Sequence, residues 1–443
     1  MTTKLRCLTC LLSLPVFAQT LKIGTGASVI TPFLDQPMAG YYYPRSAEGV
    51  HDDLFAKALV IDDGRDQIVL VACDTVSIAR SAVDNARRQI QKRLGIPADH
   101  ILISATHSHT GPEFTPEYLA AVGQRIADAV VTAHGQKVAA SLFMATEQEP
   151  SLPHYRRYWM KDGAVVTNPG FQNPNVVKPA GVIDPRVPVL VARSESGAPL
   201  VTWVNYAMHL DTVGGTWISA DYAYYLGRML TKLNGPDMMT VFTIGAAGNI
   251  NHWDIKRPGP QRGFVEAQRL GEVLGSAVAK ACTHLEPVAP KIAALSTILR
   301  LPLRTVTAEE VAQAQKIMAV PPPRDVDFTL ERVNAVRIAG IADRKGEDIA
   351  AELQVLAIGP VALVGIPGEL FVELGREIQE KSPFPNTVIV ALANDDIGYI
   401  PTRAAFEQGG YEPTSSPIAP GGGERIVART IELLNELKRL QEK

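Results

Sequence analysis

Apolar and polar positions along the chain change period repeatedly, and the changes predict a mixed α/β order. Residues 54–61 and 67–72 are near-continuous apolar runs, read as strands joined by the turn Asp62-Asp63-Gly64-Arg65. Residues 81–94 have helical spacing, 100–105 form a buried strand, and 116–134 are a second helix with Pro116 in its first turn. A hairpin is predicted from 187–191 and 200–205 across Glu195-Ser196-Gly197, then a strand at 239–244 and a helix at 264–281. Residues 349–358 pair with 361–365 through Gly359-Pro360, 387–393 are a last core strand, and 424–443 read as an amphipathic surface helix. Hairpins between neighbouring strands predict mixed, largely antiparallel sheets, not a doubly wound parallel one. Residues 150–185 and 408–423 read as long loops, a length at which loops usually build binding walls. Residues 321–327 read as a turn between helices.

The composition suits a large packed core: 443 residues, 46% of them hydrophobic and 20% charged. A net charge of −3 offers no basic footprint for nucleic acid. At the N-terminus, Lys4 and Arg6 precede an apolar run from Cys7 to Phe17, and Val16-Phe17-Ala18 fits cleavage before Gln19. Residues 1–18 are therefore expected to be a signal peptide, giving a periplasmic or secreted protein. The apolar run is too short to span a bilayer, and no other stretch is long enough. Cys7 and Cys10 would leave with the leader; Cys73 and Cys282 are expected to be buried and unpaired.

Candidate chemistry gathers at strand ends. His107 and His109 lie two apart beyond the apolar run 101–105, so their imidazoles project to one side before Gly111-Pro112 turns the chain. His209 follows the strand ending near 205, Glu369 follows Pro367-Gly368, and Tyr399 lies in Gly398-Tyr399-Ile400-Pro401. Imidazole and carboxylate are zinc-binding types. Each also has a plain structural reading: polar residues on a turn, or a carboxylate at a helix start. His134 and His284 close helices, and Asp221 is explained by the start of the helix at 222–230.

Taken in order, these segments resemble the N-terminal catalytic domain of the neutral (alkaline, non-lysosomal) ceramidase family. Met38-Ala39-Gly40-Tyr41 and residues 49–58 resemble its opening glycine-rich turn and first long strand. Ala105-Thr106-His107-Ser108-His109-Thr110-Gly111-Pro112 is close to its Thr-His-Thr-His-Ser-Gly-Pro. His209 with Ser219-Ala220-Asp221 resembles its second histidine and Ser-Gly-Asp, and Gly365-Ile366-Pro367-Gly368-Glu369 its glutamate segment. Asn394, Tyr399, Thr402-Arg403 and Tyr411-Glu412 keep the spacing of its two tyrosines. The resemblance implies one domain over 19–443 with two stacked sheets flanked by helices. It places His107, His209, Glu369 and Tyr399 on a catalytic Zn²⁺ that activates water for attack on an amide or ester. It places His109 beside the metal for proton transfer, Tyr411 at the developing oxyanion, and Arg156 or Arg157 in the site wall. His51 is assigned a place next to the site.

Two departures qualify that reading. The family's Gly-Asp-(Val/Leu)-Ser-Pro-Asn corresponds to Gly248-Asn249-Ile250-Asn251-His252-Trp253, so its serine becomes Asn251 and its proline His252. Asparagine forms no acyl intermediate, whereas a metal-activated water survives the change. Asn251 and His252 are therefore expected to bind a substrate other than ceramide. No counterpart of the family's C-terminal immunoglobulin-like domain is expected after the 424–443 helix. The expectation is an exported zinc hydrolase acting on a small-molecule, lipid-like or glycan substrate. The alternatives are a carbohydrate-active enzyme or lactonase on the same fold, and a non-catalytic scaffold.

Overall fold

A computed structural model describes residues 21–320, 329–344 and 346–442. The expected leader at 1–18 and the expected turn at 321–327 lie outside the described residues. The fold is mixed α/β, with largely antiparallel sheets flanked by helices. A nine-stranded sheet runs, edge to edge, through Met239–Ile244, Pro199–Tyr206, Arg186–Ser194, Val138–Gln148, Leu21–Val29, Phe55–Asp62, Gln67–Cys73 and Ile101–Ala105, with Glu286–Pro287 added to Val138–Gln148. The outermost pair at each edge is parallel and the interior pairs are antiparallel.

Phe55–Asp62 and Gln67–Cys73 are apolar on both faces because both faces are covered. On one side Val60, Val71 and Ile103 pack with Ile90 and Ile126 of helices Arg80–Leu94 and Pro116–Gly135. On the other, Leu59, Ile61, Leu70 and Leu102 meet Leu356, Ile358, Leu363 and Val388 of a second sheet. That sheet has the order Ile292–Leu301, Ile349–Ile358, Val361–Gly365, Asn386–Val390. Its far face is covered by helices Val372–Lys381 and Gly422–Gln441.

An ion-pair cluster ties the two layers. Glu352, 3% exposed, takes both oxygens to Arg87 Nη1 at 2.9 Å and one to Arg80 Nη1 at 2.6 Å. Arg87 is itself 5% exposed and also donates to the Ile101 carbonyl. Glu352→Gln removes the charge but keeps the shape. It is expected to cost about 1.5–3 kcal/mol, the worth of hydrogen bonds to a charged group, measured as a lowered midpoint in denaturant melts. An unchanged midpoint would mean that the cluster is not coupled to global unfolding.

The site forms where the two edges of the large sheet come together. Ser108 bridges Leu210, which brings the chain beyond Ile101–Ala105 against the chain beyond Pro199–Tyr206. Residues 391–394 span the same gap: Ala391 N–H donates to Ile244 O, and Ala105 N–H donates to Leu392 O.

Several expectations need correction. Residues 150–185 are not a bare loop, since Arg157–Met160, Val165–Thr167 and Val176–Pro179 form a small sheet. Residues 408–423 contain the short helix Tyr411–Ser415. Cys73 and Cys282 are free, but Cys282 is only partly buried. Among the described residues no helix is long and apolar enough to cross a membrane.

Candidate metal centre

His107 enters the site from a strained turn. Its φ is 76°, a left-handed value rarely adopted by a residue with a side chain. Such strain persists only where surroundings enforce it, and it clusters at functional sites. Here the His107 N–H donates to Thr75 O at 2.9 Å, and Nδ1 lies 2.6 Å from Val76 O. His109 is turned the same way, with Nδ1 2.9 Å from Gly40 O. A carbonyl only accepts, so Nδ1 carries a proton in both rings, and Nε2 is a lone pair wherever the ring is neutral. The two Nε2 atoms lie 3.3 Å apart.

His209 adds a third. Arg156 Nη1, always a donor, sits 3.0 Å from His209 Nε2, which must accept. The His209 Nδ1 then holds the proton, and it has no partner. Glu369 completes the cluster: Oε2 is 3.1 Å from His209 Nε2 and 3.4 Å from His107 Nε2, and is buried with no hydrogen-bond donor. The three histidines each offer a nitrogen, all within 4.8 Å of one another. Four acceptor atoms gather at one spot, His209 Nε2 sharing its lone pair with Arg156, an arrangement whose centre a bound cation would satisfy. The donor set suits a divalent transition metal.

Charge balance supports the fit. Burial, then the neighbouring His107, pushes the His109 imidazole down to about 3. Burial, then Arg156, pushes His209 down to about 4, so both rings are neutral, the state that ligates metals. Burial pulls His107 down as well, but Glu369 outweighs it and the ring is raised. Burial pushes Glu369 up, and His107 outweighs it, holding the carboxylate well below its ordinary range.

Glu369 is set by backbone packing. It pairs in parallel with Tyr399 in a two-residue ladder, and its N–H donates to Gly398 O. Gly248 lies against it so closely that a Cβ there would stand 2.3 Å from Glu369 O. Gly248→Ala must therefore displace Glu369. It is expected to weaken metal affinity about 10–100-fold, read by competition with a chromogenic chelator; equal affinity would show that Glu369 does not hold the ion.

Around the cluster runs a cavity of about 460 Å³ lined by His109, His209, Arg156, Tyr399 and Tyr411, with Tyr41, Tyr42, Asn168, Phe171 and Trp253 on its walls. Arg156, 4% exposed, donates to Tyr399 Oη at 3.0 Å, to Gly248 O at 2.7 Å and to Glu412 Oε1 at 2.8 Å. Tyr411 Oη lies 3.2 Å from Tyr42 Oη, and its ring sits edge-on to Tyr399.

Four residues expected at the substrate do not line the cavity. Arg157 is fully buried, donates to Gly409 O and lies over Phe371, because it anchors the small sheet to the last helices. His51 binds Asp52 through Nδ1 at 2.7 Å and stacks on Phe264 at 4.0 Å, away from the cavity. Asn251 spends its amide on the wall itself, donating to Asn168 Oδ1 and accepting from Trp253 N–H. His252 is buried, with Nε2 donating to Gln261 O at 2.7 Å. The groups that do reach the cavity at this end are Asn168, Phe171, Asp211, Trp253 and Arg262. Asp211 stands two residues after His209 and was open to notice; the others lie in segments whose side-chain directions no local pattern encodes.

Comparison with known proteins agrees with this architecture. Residues 21–129 match the family described as neutral/alkaline non-lysosomal ceramidase, N-terminal. The crystal structure of neutral ceramidase from Pseudomonas aeruginosa superposes with a TM-score of 0.75 at 19% identity, covering 95% of this chain and 75% of that one. A structure described as ceramidase complexed with C2 also gives 0.75, at 17% identity, covering 95% and 76%.

Proposed function

Starting from a chain with the neutral ceramidase fold and a ceramidase-type N-terminal segment, we propose that it is an exported, zinc-dependent hydrolase of amide or ester bonds. The observation that supports the reading is the convergence of three imidazole nitrogens and Glu369 Oε2 on one spot. His107, His209, Glu369 and Tyr399 would hold Zn²⁺. When bound, the ion polarises a carbonyl and lowers the pKa of water toward neutrality.

The chain's own residues supply the rest. His109 opens onto the cavity with Nδ1 tied to Gly40 O, so its Nε2 is positioned to take a proton and later return it to the leaving group. Arg156 orients the Tyr399 phenol and adds positive charge where an oxyanion would develop. Tyr411, hydrogen-bonded to Tyr42, is a second donor at that place. Asn251 and His252 act indirectly, by shaping the wall that carries Asn168 and Trp253. A compact cavity with polar groups suits a short substrate better than a long-chain ceramide. Its aromatic and polar lining also supports the second reading, a carbohydrate or lactone substrate on the same metal centre.

The test is hydrolysis of a panel of short N-acyl amides, esters, lactones, glycosides and N-acyl-sphingosine by the mature protein. Amide or ester cleavage, lost with chelator and restored by Zn²⁺, is expected. Cleavage of glycosides or lactones alone would select the second reading, and a folded protein inert on all would leave a scaffold.

A further inference from the structure

Two charged side chains on the outer cavity are unused by that mechanism. Asp211 lines the cavity with its side chain 17% exposed, and its buried Oδ1 faces His252. His252 backs it: Nδ1 stands 3.2 Å from that oxygen, at ion-pairing distance, while Nε2 is pinned to Gln261 O. The imidazole therefore holds Oδ1 in place, and Oδ2 is the carboxylate oxygen left to the cavity. Arg262 lines the same cavity nearer solvent, its guanidinium 5.2 Å over the Trp253 ring, with no ion pair among the described residues.

The other charged groups of the cavity are already engaged. Arg156 is matched by Glu412 at 2.8 Å. Asp254 Oδ1 accepts the Lys256 N–H at 2.8 Å. Asp211 and Arg262 form no ion pair with each other, yet both act on the Tyr41 hydroxyl, with opposite signs. The outer cavity is thus bipolar, with unused acceptor capacity inside and unused donor capacity at the mouth.

We propose that this cavity selects a small zwitterionic substrate, its ammonium group on Asp211 and its carboxylate on Arg262. The assignment deepens the hydrolase reading and rests on it for the bond cleavage that comes after binding. A space of about 460 Å³ accommodates a molecule of dipeptide size. Asp211 and Arg262 are specificity residues, and His252 positions Asp211.

Calorimetric titration of the Zn²⁺-loaded protein with glycylglycine, its N-acetyl form and its C-terminal amide tests the assignment. Wild type is expected to bind glycylglycine at least about tenfold more tightly than either blocked form. Asp211→Asn should abolish the penalty for blocking the amine alone, and Arg262→Gln, at the exposed mouth, the penalty for blocking the carboxylate alone. Three probes bound within twofold of one another, or none bound, would overturn the proposal. So would binding unchanged in Arg262→Gln, the signature of simple chelation by the dipeptide. Because the readout is binding, it is separate from turnover: discrimination without hydrolysis of any amide or ester would remove the hydrolase reading and leave the selective cavity standing.

Discussion

His209→Ala is expected to empty the metal site and lower kcat/KM on a short N-acyl or ester substrate by about 10³-fold or more, ~4 kcal/mol of transition-state stabilisation. The imidazole is 2% exposed, and its Nε2 lies within 3.1 Å of both Glu369 Oε2 and Arg156 Nη1. Removing it deletes one acceptor and leaves Arg156 free to pair with Glu369, filling the place a cation needs. The comparison that gives this result meaning is His109→Ala. If His109 handles a proton, its loss should slow turnover about 10²–10⁴-fold with the metal retained. Metal loss in His109→Ala would instead make the three imidazoles the ligand set. Activity within tenfold of wild type in His209→Ala would contradict the assignment of His209 altogether.

Glu412→Ala is expected to destabilise the protein by about 3–5 kcal/mol, because it strands two buried guanidinium groups. Glu412 is fully buried; it takes Arg156 at 2.8 Å, Arg157 at 3.4 Å and the Thr167 hydroxyl at 2.7 Å. Those three partners lie on or beside the small sheet, whereas Glu412 lies on the Tyr411–Ser415 helix, so one carboxylate fixes the cavity wall to the tyrosine that faces it. Arg156, once released, should also let Tyr399 drift, so kcat should fall even at temperatures where the variant stays folded. Thermal denaturation with kinetics on the folded fraction measures both. A stable variant with normal kcat would show that the wall is held by other means.

Much of the frame was legible because its residues are buried on both faces. The runs at 239–244 and 264–281 coincide with Met239–Ile244 and Phe264–Ala281, and the 349–365 hairpin matches residue for residue. Leu21–Val29, Val138–Gln148 and Ile292–Leu301 carry Ala, Ser, Gly and Thr in place of a clean alternation, and their pairing is decided by neighbours distant in sequence. At the site, the His-x-His pair stood out because both residues follow one strand. That Glu369 Oε2 would meet them could come only from the order of family-like segments, since 160 residues separate it from His209. Asn251 misled for a related reason: its place in a motif says nothing of its rotamer, and its amide is spent on Asn168 and Trp253. Glu412 and Arg262 gave no local signal, because each acquires its role from a partner on another element.

The central claim is that His107, His209, Glu369 and Tyr399 hold a metal ion, and elemental analysis of the purified chain tests it most directly. About one zinc per chain, absent from His107→Ala and His209→Ala preparations that remain folded, is the predicted result. A folded wild-type protein that carries no metal, and takes up none from a buffer containing Zn²⁺, would contradict the account.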